Sequence, residues 1–198
     1  MNVDEGREPK VLAPDPAGGR LSAGRNPKTT MEIPIRPACR TDCPGILAIY
    51  NDAVLTTTAT YDYEPRTLEH REAWFEAHER GRYSMFVAED PQTGRILGWS
   101  ALNPYHDRMG YRFTAENSVY VAADQRGRGL GSRLLEPLIP AAKDRGLRVV
   151  IAAIDAANEA SIRLHARFGF EKVGLFRQVG FKFDRWLDVV YMERLIES

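Results

Sequence analysis

The chain has 198 residues, of which 43% are hydrophobic, and its 27 basic residues balance 27 acidic ones. This length is enough to bury one hydrophobic core, so a single folded domain is expected. The balanced charge produces no long-range field that would attract nucleic acid or a membrane. No apolar run is long enough to span a bilayer, and Met1 to Glu5 lack the basic and apolar regions of a signal peptide. These features predict a cytoplasmic protein with neither nucleic acid nor membrane as a partner.

The first 30 residues differ in composition from the rest of the chain. They contain no aromatic residue and are rich in proline and glycine, so they cannot bury enough apolar surface to offset the entropy lost on ordering. We therefore predict a disordered extension over residues 1–30 and a folded domain over residues 31–198. Cys39 and Cys43 are too few for a disulfide framework or a four-cysteine zinc site, so they are predicted to be ordinary thiols. No metal site is expected.

Hydrophobic periodicity along residues 31–198 predicts strands that alternate with helices. The first half of the domain is predicted to contain a strand at Ile33 to Ile35 ended by Pro37, a helix capped by Thr41-Asp42 and running through Val54, a helix from Thr67 to His78, and a hairpin of Met85 to Ala88 and Ile96 to Leu102. A central strand from Glu116 to Val121 follows, and then a glycine-rich segment and a helix. The last predicted elements are a strand from Val149 to Ile154 buried on both faces, a helix from Asn158 to Phe168, and strands from Phe170 to Phe176 and from Leu187 to Arg194.

Two prolines interrupt the helix that follows the glycine-rich segment. Pro137 and Pro140 each remove an amide and crowd the carbonyl four residues back, which costs about 3 kcal/mol or more in a helix interior. We therefore predict a kink or break between Arg133 and Pro140. The first turn of the helix lies before both prolines and should keep its geometry.

The glycine-rich segment directly follows the central strand and has the properties of an anion site. Glycines lack the side chains that keep a ligand away from the backbone, and amides at a helix start are unpaired and carry the positive end of the helix dipole. A phosphate, and in particular a diphosphate, fits such a place. The alternative is a tight strand-to-helix connection without a ligand. The segment consists of Arg126, Gly127, Arg128, Gly129, Leu130, Gly131 and Ser132. Arg126, Arg128 and Arg133 are expected to add positive charge around it.

Glu116 is the candidate general base. Strand alternation puts Glu116, Ser118 and Tyr120 on one face of the central strand. A carboxylate there is costly to bury unless it is paired or functional, and burial would raise its pKa toward the range where it accepts a proton near neutrality. The alternative is a carboxylate at a strand end paired with one arginine, for example Arg112.

The remaining candidate residues lie on a later helix and on two loops. Asn158 caps its helix, and His165 lies on the same face of that helix, where it either donates a proton or packs and hydrogen-bonds. Arg112 is of the type that binds a carboxylate in a bidentate manner; its alternative is a solvated loop with an ion pair to Glu116 or Asp107. The predicted substrate-contacting residues are Tyr61, Gly110, Tyr111 and Arg112.

The pattern Arg126-x-x-Gly129-x-Gly131 after a strand resembles the acetyl-CoA loop of the GCN5-related N-acetyltransferases (GNAT). From about residue 32 to residue 195 the chain resembles the phosphinothricin and methionine sulfoximine acetyltransferase branch of that superfamily. The segments that carry the resemblance are Ile46 to Val54, Thr57 to Tyr61, Thr114 to Val121, the glycine-rich loop, Ala160 to His165 and Gly180 to Asp188.

The resemblance implies an α/β GNAT fold, a mixed and mostly antiparallel sheet with splayed central strands and flanking helices. It also implies acetyl-CoA as the donor, a homodimer, catalytic roles for Glu116 and His165, and an acyl carrier held by the glycine-rich loop with Val119, Tyr120, Val121 and Asn158. In that role His165 would protonate the departing thiolate.

The expected activity is acetylation of the α-amino group of a small amino-acid-like molecule whose carboxylate binds Arg112. Phosphinothricin, methionine sulfoximine and methionine sulfone are the acceptors that the resemblance suggests. Two alternatives stay open: an enzyme that acetylates the N-termini of peptides or proteins, and an acyl-CoA-binding sensor without turnover, in which Glu116 is idle.

Overall fold

The computed structural model describes residues 32–81 and 83–197, so the predicted extension over residues 1–30 lies outside the described residues. Strands and helices are numbered separately in chain order. The elements are β1 (Ile35–Pro37), α1 (Cys43–Thr56), α2 (Leu68–Gly81), β2 (Met85–Glu89), β3 (Ile96–Pro104), β4 (Thr114–Val121), α3 (Leu130–Leu135), α4 (Leu138–Asp144), β5 (Val149–Asp155), α5 (Glu159–Arg167), β6 (Glu171–Lys182) and β7 (Arg185–Leu195).

The strands form one sheet in the order β1-β2-β3-β4-β5-β7-β6. Neighbours pair antiparallel, except that β4 and β5 are parallel. The β4–β5 ladder joins only Thr114–Glu116 to Val149–Ile151, although β4 continues to Val121 and β5 to Asp155. The two central strands therefore separate toward their carboxyl ends. The expected mixed, mostly antiparallel and splayed sheet is confirmed.

Helices cover both faces of the sheet, because the side chains of each strand alternate between them. On one face Trp99 and Ala101 of β3 pack with buried residues of α1 and α2, among them Ile46 and Phe75. On the opposite face the Ser100 hydroxyl donates a hydrogen bond of 2.7 Å to the Leu134 carbonyl of α3. This bond ties the short helix after the glycine-rich loop to the middle of the sheet.

The predicted helix break is confirmed. Helix α3 ends at Leu135 and α4 begins at Leu138, with Pro137 between them. The first turn of α3 is intact: the amides of Ser132 and Arg133 both donate to the Gly129 carbonyl. The prolines therefore divide the helix behind the turn that borders the loop.

Several sequence-based details need correction. Asp42 precedes α1, but its carboxylate accepts hydrogen bonds from Arg36 and from the Cys39 amide instead of capping α1. Strand β6 does not stop near Phe176; it passes an irregularity at Gln178, whose φ is +54°, and reaches Lys182. Strand β5 is not fully buried, because Ala153 is exposed where the sheet opens.

Cys39 and Cys43 are free thiols, the first exposed and the second buried. Within residues 32–81 and 83–197, the helices are all too short or too polar to cross a membrane.

We expect Leu134→Ala to lower the free energy of unfolding by about 2–5 kcal/mol, because it removes buried methyl groups and leaves a cavity. The Leu134 side chain is fully buried. Urea denaturation measures the change. The matched control is Leu55→Ala in α1, where the side chain is 58% exposed, and the expected change is within about 0.5 kcal/mol. Equal losses in the two variants would contradict this packing of α3.

Candidate active site

The glycine-rich loop connects the end of β4 to the start of α3. Gly127 and Gly129 have φ of +75° and +79°, a conformation that side chains with a Cβ adopt only at a cost. The hydrogen bonds of the first helical turn begin with the amides of Ser132 and Arg133, both donated to the Gly129 carbonyl. The amides from Gly127 to Gly131 thus precede this ladder, where backbone N–H groups are available to an anion.

Two of the three arginines near the loop have guanidinium groups that lie beside it. Arg126 donates from Nε to the Val121 carbonyl at 3.3 Å, and Arg128 donates to the Gln125 side chain at 2.7 Å; both are exposed. Arg133 instead turns away and donates to the Ile33 carbonyl at 2.6 Å. The expectation that Arg133 adds charge at the loop is wrong, since the β1 side of the sheet takes up its guanidinium.

A cleft of about 570 Å³ lies between the loop, the end of β4 and the start of α5. Arg128, alone among the carrier-binding residues expected from the sequence, is not in its lining. The residues of that set that do line the cleft are Val119, Tyr120, Val121, Arg126, Gly127, Gly129, Leu130, Gly131, Ser132 and Asn158.

The separation of β4 from β5 leaves backbone groups of β4 facing this cleft. The Ala122 amide donates to the Leu97 carbonyl of β3 at 2.9 Å. Because N–H groups in a strand alternate in direction, the amides of Val119 and Val121 face the opposite side, where β5 no longer pairs. These two residues can therefore hydrogen-bond an extended ligand chain laid in the gap.

A second cavity, of about 430 Å³, adjoins the first and contains Glu116, His165 and Tyr61. Val119, Tyr120 and Asn158 line both. The splayed strands thus bring the candidate base, the candidate acid and the predicted substrate-contacting Tyr61 to one chamber beside the loop cleft.

Glu116 is half-buried in this chamber. Burial raises the pKa of its carboxyl group, and the nearby His106 lowers that pKa in part. A carboxylate with a raised pKa is a stronger base than one in water. The base role expected for Glu116 stays a prediction.

His165 is buried and held on both ring nitrogens. Nδ1 lies 2.8 Å from the Ser161 carbonyl, which can only accept, so the ring proton is placed on Nδ1. The Asn117 amide then donates to Nε2 at 3.0 Å, and Phe170 meets the ring edge-on with centroids 5.1 Å apart. Burial lowers the pKa of His165. The arrangement favours a neutral imidazole that hydrogen-bonds to its neighbours over a protonated imidazolium that could act as a general acid.

Asn158 has the capping role expected for it, because its Oδ1 accepts a hydrogen bond of 3.1 Å from the Ser161 amide. This cap sets the start of α5 against the two cavities that Asn158 lines.

The loop before β4 does not bring its predicted residues into the chamber. Gly110, Tyr111 and Arg112 are exposed and absent from the lining of both cavities. The Arg112 guanidinium lies 4.3 Å from the Phe113 ring centroid and donates to the Met109 carbonyl at 3.2 Å. The turn at Met109–Tyr111 directs these side chains outward, which proximity to Glu116 in sequence does not reveal.

Sequence reasoning missed the residues that fix the wall opposite Glu116. Lys182 donates to the Thr57 and Thr60 carbonyls at 2.9 and 2.8 Å, and Thr58 donates to the carboxylate of Asp155. A Cβ on Gly180 would lie 2.8 Å from the Tyr61 ring, so a larger residue there would have to displace that ring. The only sequence signal is the number of hydroxyl groups in the loop from Thr56 to Tyr61, and the partners of this loop lie 97 to 125 residues away.

Comparison with known proteins agrees with this geometry. The sequence model of the acetyltransferase (GNAT) family matches residues 46–170. An L-methionine sulfoximine/L-methionine sulfone acetyltransferase of Pseudomonas paraeruginosa is 50% identical over 163 residues, 82% of this chain and 94% of that protein. A phosphinothricin N-acetyltransferase of Streptomyces coelicolor is 42% identical over 166 residues, 83% of this chain and 97% of that protein.

A structure of an acetyltransferase from Salmonella typhimurium with its cofactor acetyl-CoA superposes with a TM-score of 0.82 and 38% identity, covering 84% of this chain and 95% of that one. The chain therefore belongs to the acetyltransferase (GNAT) family. It is an acetyl-CoA-dependent N-acetyltransferase.

The residues present fit acetyl-CoA. The free amides of the glycine-rich loop suit its diphosphate, and the amides of Val119 and Val121 suit the amide-bearing arm that follows. Among residues 32–81 and 83–197 there is no cluster of three side chains of the kind that holds a metal ion.

We expect Gly129→Ala to weaken acetyl-CoA binding about tenfold, because an alanine at φ +79° costs roughly 1–2 kcal/mol and the loop relaxes away from the geometry that exposes its amides. Isothermal titration calorimetry measures the dissociation constant. The matched control is Gly174→Ala in β6, where an added Cβ also meets nothing within 4 Å and binding should be unchanged. Unchanged binding in Gly129→Ala would show that the loop does not hold the ligand.

Proposed function

We propose that this enzyme transfers the acetyl group of acetyl-CoA to the α-amino group of a small amino-acid-like acceptor of the methionine sulfoximine, methionine sulfone or phosphinothricin type. The observation that carries the proposal is the chamber of about 430 Å³ in which Glu116 lies beside the glycine-loop cleft. The names of relatives 50% and 42% identical to the chain support this acceptor class.

Each part of the proposed reaction has a residue to perform it. The loop amides hold the diphosphate, and the Val121 amide hydrogen-bonds the thioester carbonyl, where negative charge develops. Glu116 takes a proton from the acceptor ammonium, directly or through one water. The neutral amine then attacks the acetyl carbon, so that the C–N bond forms as the C–S bond breaks, and the nitrogen releases its extra proton to solvent. Neither Cys39 nor Cys43 lines the two cavities, in keeping with direct transfer.

His165 has a positioning role in this proposal. Its Nδ1 proton is donated to Ser161 and its Nε2 accepts from Asn117, so it holds the face of β4 that Asn117 shares with Val119 and Val121. The thiolate that leaves is protonated from solvent in the open loop cleft.

The size of the chamber favours a small acceptor over a peptide. Tyr61 and Tyr191 border it together with the loop that Lys182 pins. Acetylation of peptide N-termini at rates equal to those of free amino-acid analogues would support the alternative enzyme. A protein that binds acetyl-CoA but acetylates no amine would be a sensor.

We expect Glu116→Gln to lower kcat/KM for the acceptor by about 10²–10⁴, because the amide cannot accept the ammonium proton. The dissociation constant for acetyl-CoA should stay the same. A thiol-release assay with methionine sulfone as acceptor measures the rate. The matched control, Glu79→Gln, changes an exposed carboxylate on α2 and should leave the rate unchanged.

The pH profile gives a second readout of the same assignment. Because burial raises the pKa of Glu116 and only the carboxylate form is active, kcat/KM should rise with pH through a value above that of an ordinary glutamate. Glu116→Gln should lose this ascending limb. A rate within about threefold of wild type, with the limb retained, would refute the base assignment.

We also propose that the enzyme is a homodimer joined through the end of the sheet formed by β6 and β7. Large apolar side chains are exposed there, including Phe181, Phe183 and Trp186, which are 42%, 50% and 63% exposed. Contiguous exposed apolar surface of this kind is typical of an interface between chains.

Trp186→Asp should shift the enzyme from dimer to monomer, since a carboxylate would have to be buried at the interface. Analytical ultracentrifugation at micromolar concentration measures the state. Leu55→Asp places the same charge at an exposed leucine of α1 and should leave the dimer intact. A monomeric wild-type enzyme would exclude the proposed assembly.

A further inference from the structure

Helix α2 places a cation inside an aromatic cluster on the same side of the sheet as Glu116. Arg71 is only 4% exposed. Its guanidinium carbon lies 4.6 Å from the ring centroids of Tyr50 and Trp74 and 5.4 Å from that of Trp99. The rings offset part of the cost of burying the charge.

Arg71 has no anionic partner within residues 32–81 and 83–197. Its buried Nε makes no hydrogen bond there. Asp62, which borders the same space, is already engaged: Arg66 donates to both of its oxygens at 2.7 and 2.8 Å, and the Tyr50 hydroxyl donates at 2.7 Å. A buried charge without a partner is expensive, and burial lowers the pKa of Arg71. An anion would relieve this cost.

A cavity of about 250 Å³ lies in front of Arg71 and has room for a small anion. Ser118 and Tyr120 line both this cavity and the acceptor chamber. Since Glu116, Ser118 and Tyr120 alternate along one face of β4, the Arg71 cavity lies beside the chamber that contains Glu116. Asn103 closes it through a hydrogen bond of 3.1 Å to the Ser118 hydroxyl.

We propose that Arg71 and its cavity form a carboxylate-binding site that recognises the acid group of the acceptor. A guanidinium presents parallel N–H groups that match the two oxygens of a carboxylate. This inference rests on the proposed function and deepens it, because it supplies the carboxylate contact that the exposed Arg112 does not make from its observed position.

Paired acceptors test the proposal. Methionine sulfone and its carboxamide, which lacks the negative charge, are compared in the thiol-release assay. Arg71→Gln should raise KM for methionine sulfone about tenfold or more, the loss of one charge-assisted bidentate contact, and leave KM for the carboxamide within about twofold. Arg71→Lys keeps the positive charge but lacks the parallel N–H groups, so its KM for methionine sulfone should lie between those of wild type and Arg71→Gln.

The control Arg80→Gln changes an exposed arginine of the same helix, 73% exposed at its side chain, and should alter neither KM. If the Arg71 variants weaken both acceptors equally, the residue only packs and the proposal is wrong. It is equally wrong if Arg112→Gln, and not Arg71→Gln, removes the preference for the carboxylate.

A binding experiment separates this inference from the proposed function. Trp74 and Trp99 line the cavity, so their fluorescence should change and saturate when wild-type enzyme is titrated with methionine sulfone, and should not saturate in Arg71→Gln. Titration with acetate asks whether free carboxylates also enter; saturation that is lost in Arg71→Gln also supports the site. A saturating fluorescence change without acetylation of any amine would refute the proposed function and support the Arg71 carboxylate site. Turnover with no Arg71-dependent fluorescence change would overturn the site alone.

Discussion

The hydrogen-bonded ladder between β4 and β5 stops after three residue pairs, and the two adjoining cavities form at the gap that follows. A fully paired strand would have its amides satisfied by its neighbours, with none left for a ligand. Here the amides of Val119 and Val121 face open space, and the glycine-rich loop continues the same row of free donors. The open sheet thus offers an extended ligand backbone amides that, in a fully paired sheet, would hydrogen-bond to the neighbouring strand.

The environment of each ionisable group is consistent with the division of roles proposed for the chamber. Glu116 is half-buried, and its raised pKa suits a base. His165 lies deeper, has both ring nitrogens engaged and keeps a lowered pKa. Arg71 is buried among rings and has no anionic partner among residues 32–81 and 83–197. The residues proposed as base, positioning residue and anion receptor thus differ in what surrounds their ionisable groups.

Much of the fold and of the loop site could be predicted, because local features encode them. Three features depend on residues a few positions apart, where backbone sterics and hydrogen bonding act directly. They are the order of strand, glycines and helix around Gly129, the cap at Asn158 and the break at Pro137. The alternation that places Glu116 with Tyr120 follows from strand geometry alone.

The composition and order of residues by themselves determined the class of fold, the position of the glycine-rich loop after a strand, and the acidic residue on that strand. Only the tertiary structure decided that Arg112 turns outward, that Lys182 holds the Thr57–Thr60 loop, and that His165 accepts a hydrogen bond from the side-chain amide of Asn117. The contacts of His165 and Lys182 join residues 48 and 125 positions apart, and no local propensity encodes which side chains meet. Their geometry follows from the strand order of the sheet and from where its central ladder ends.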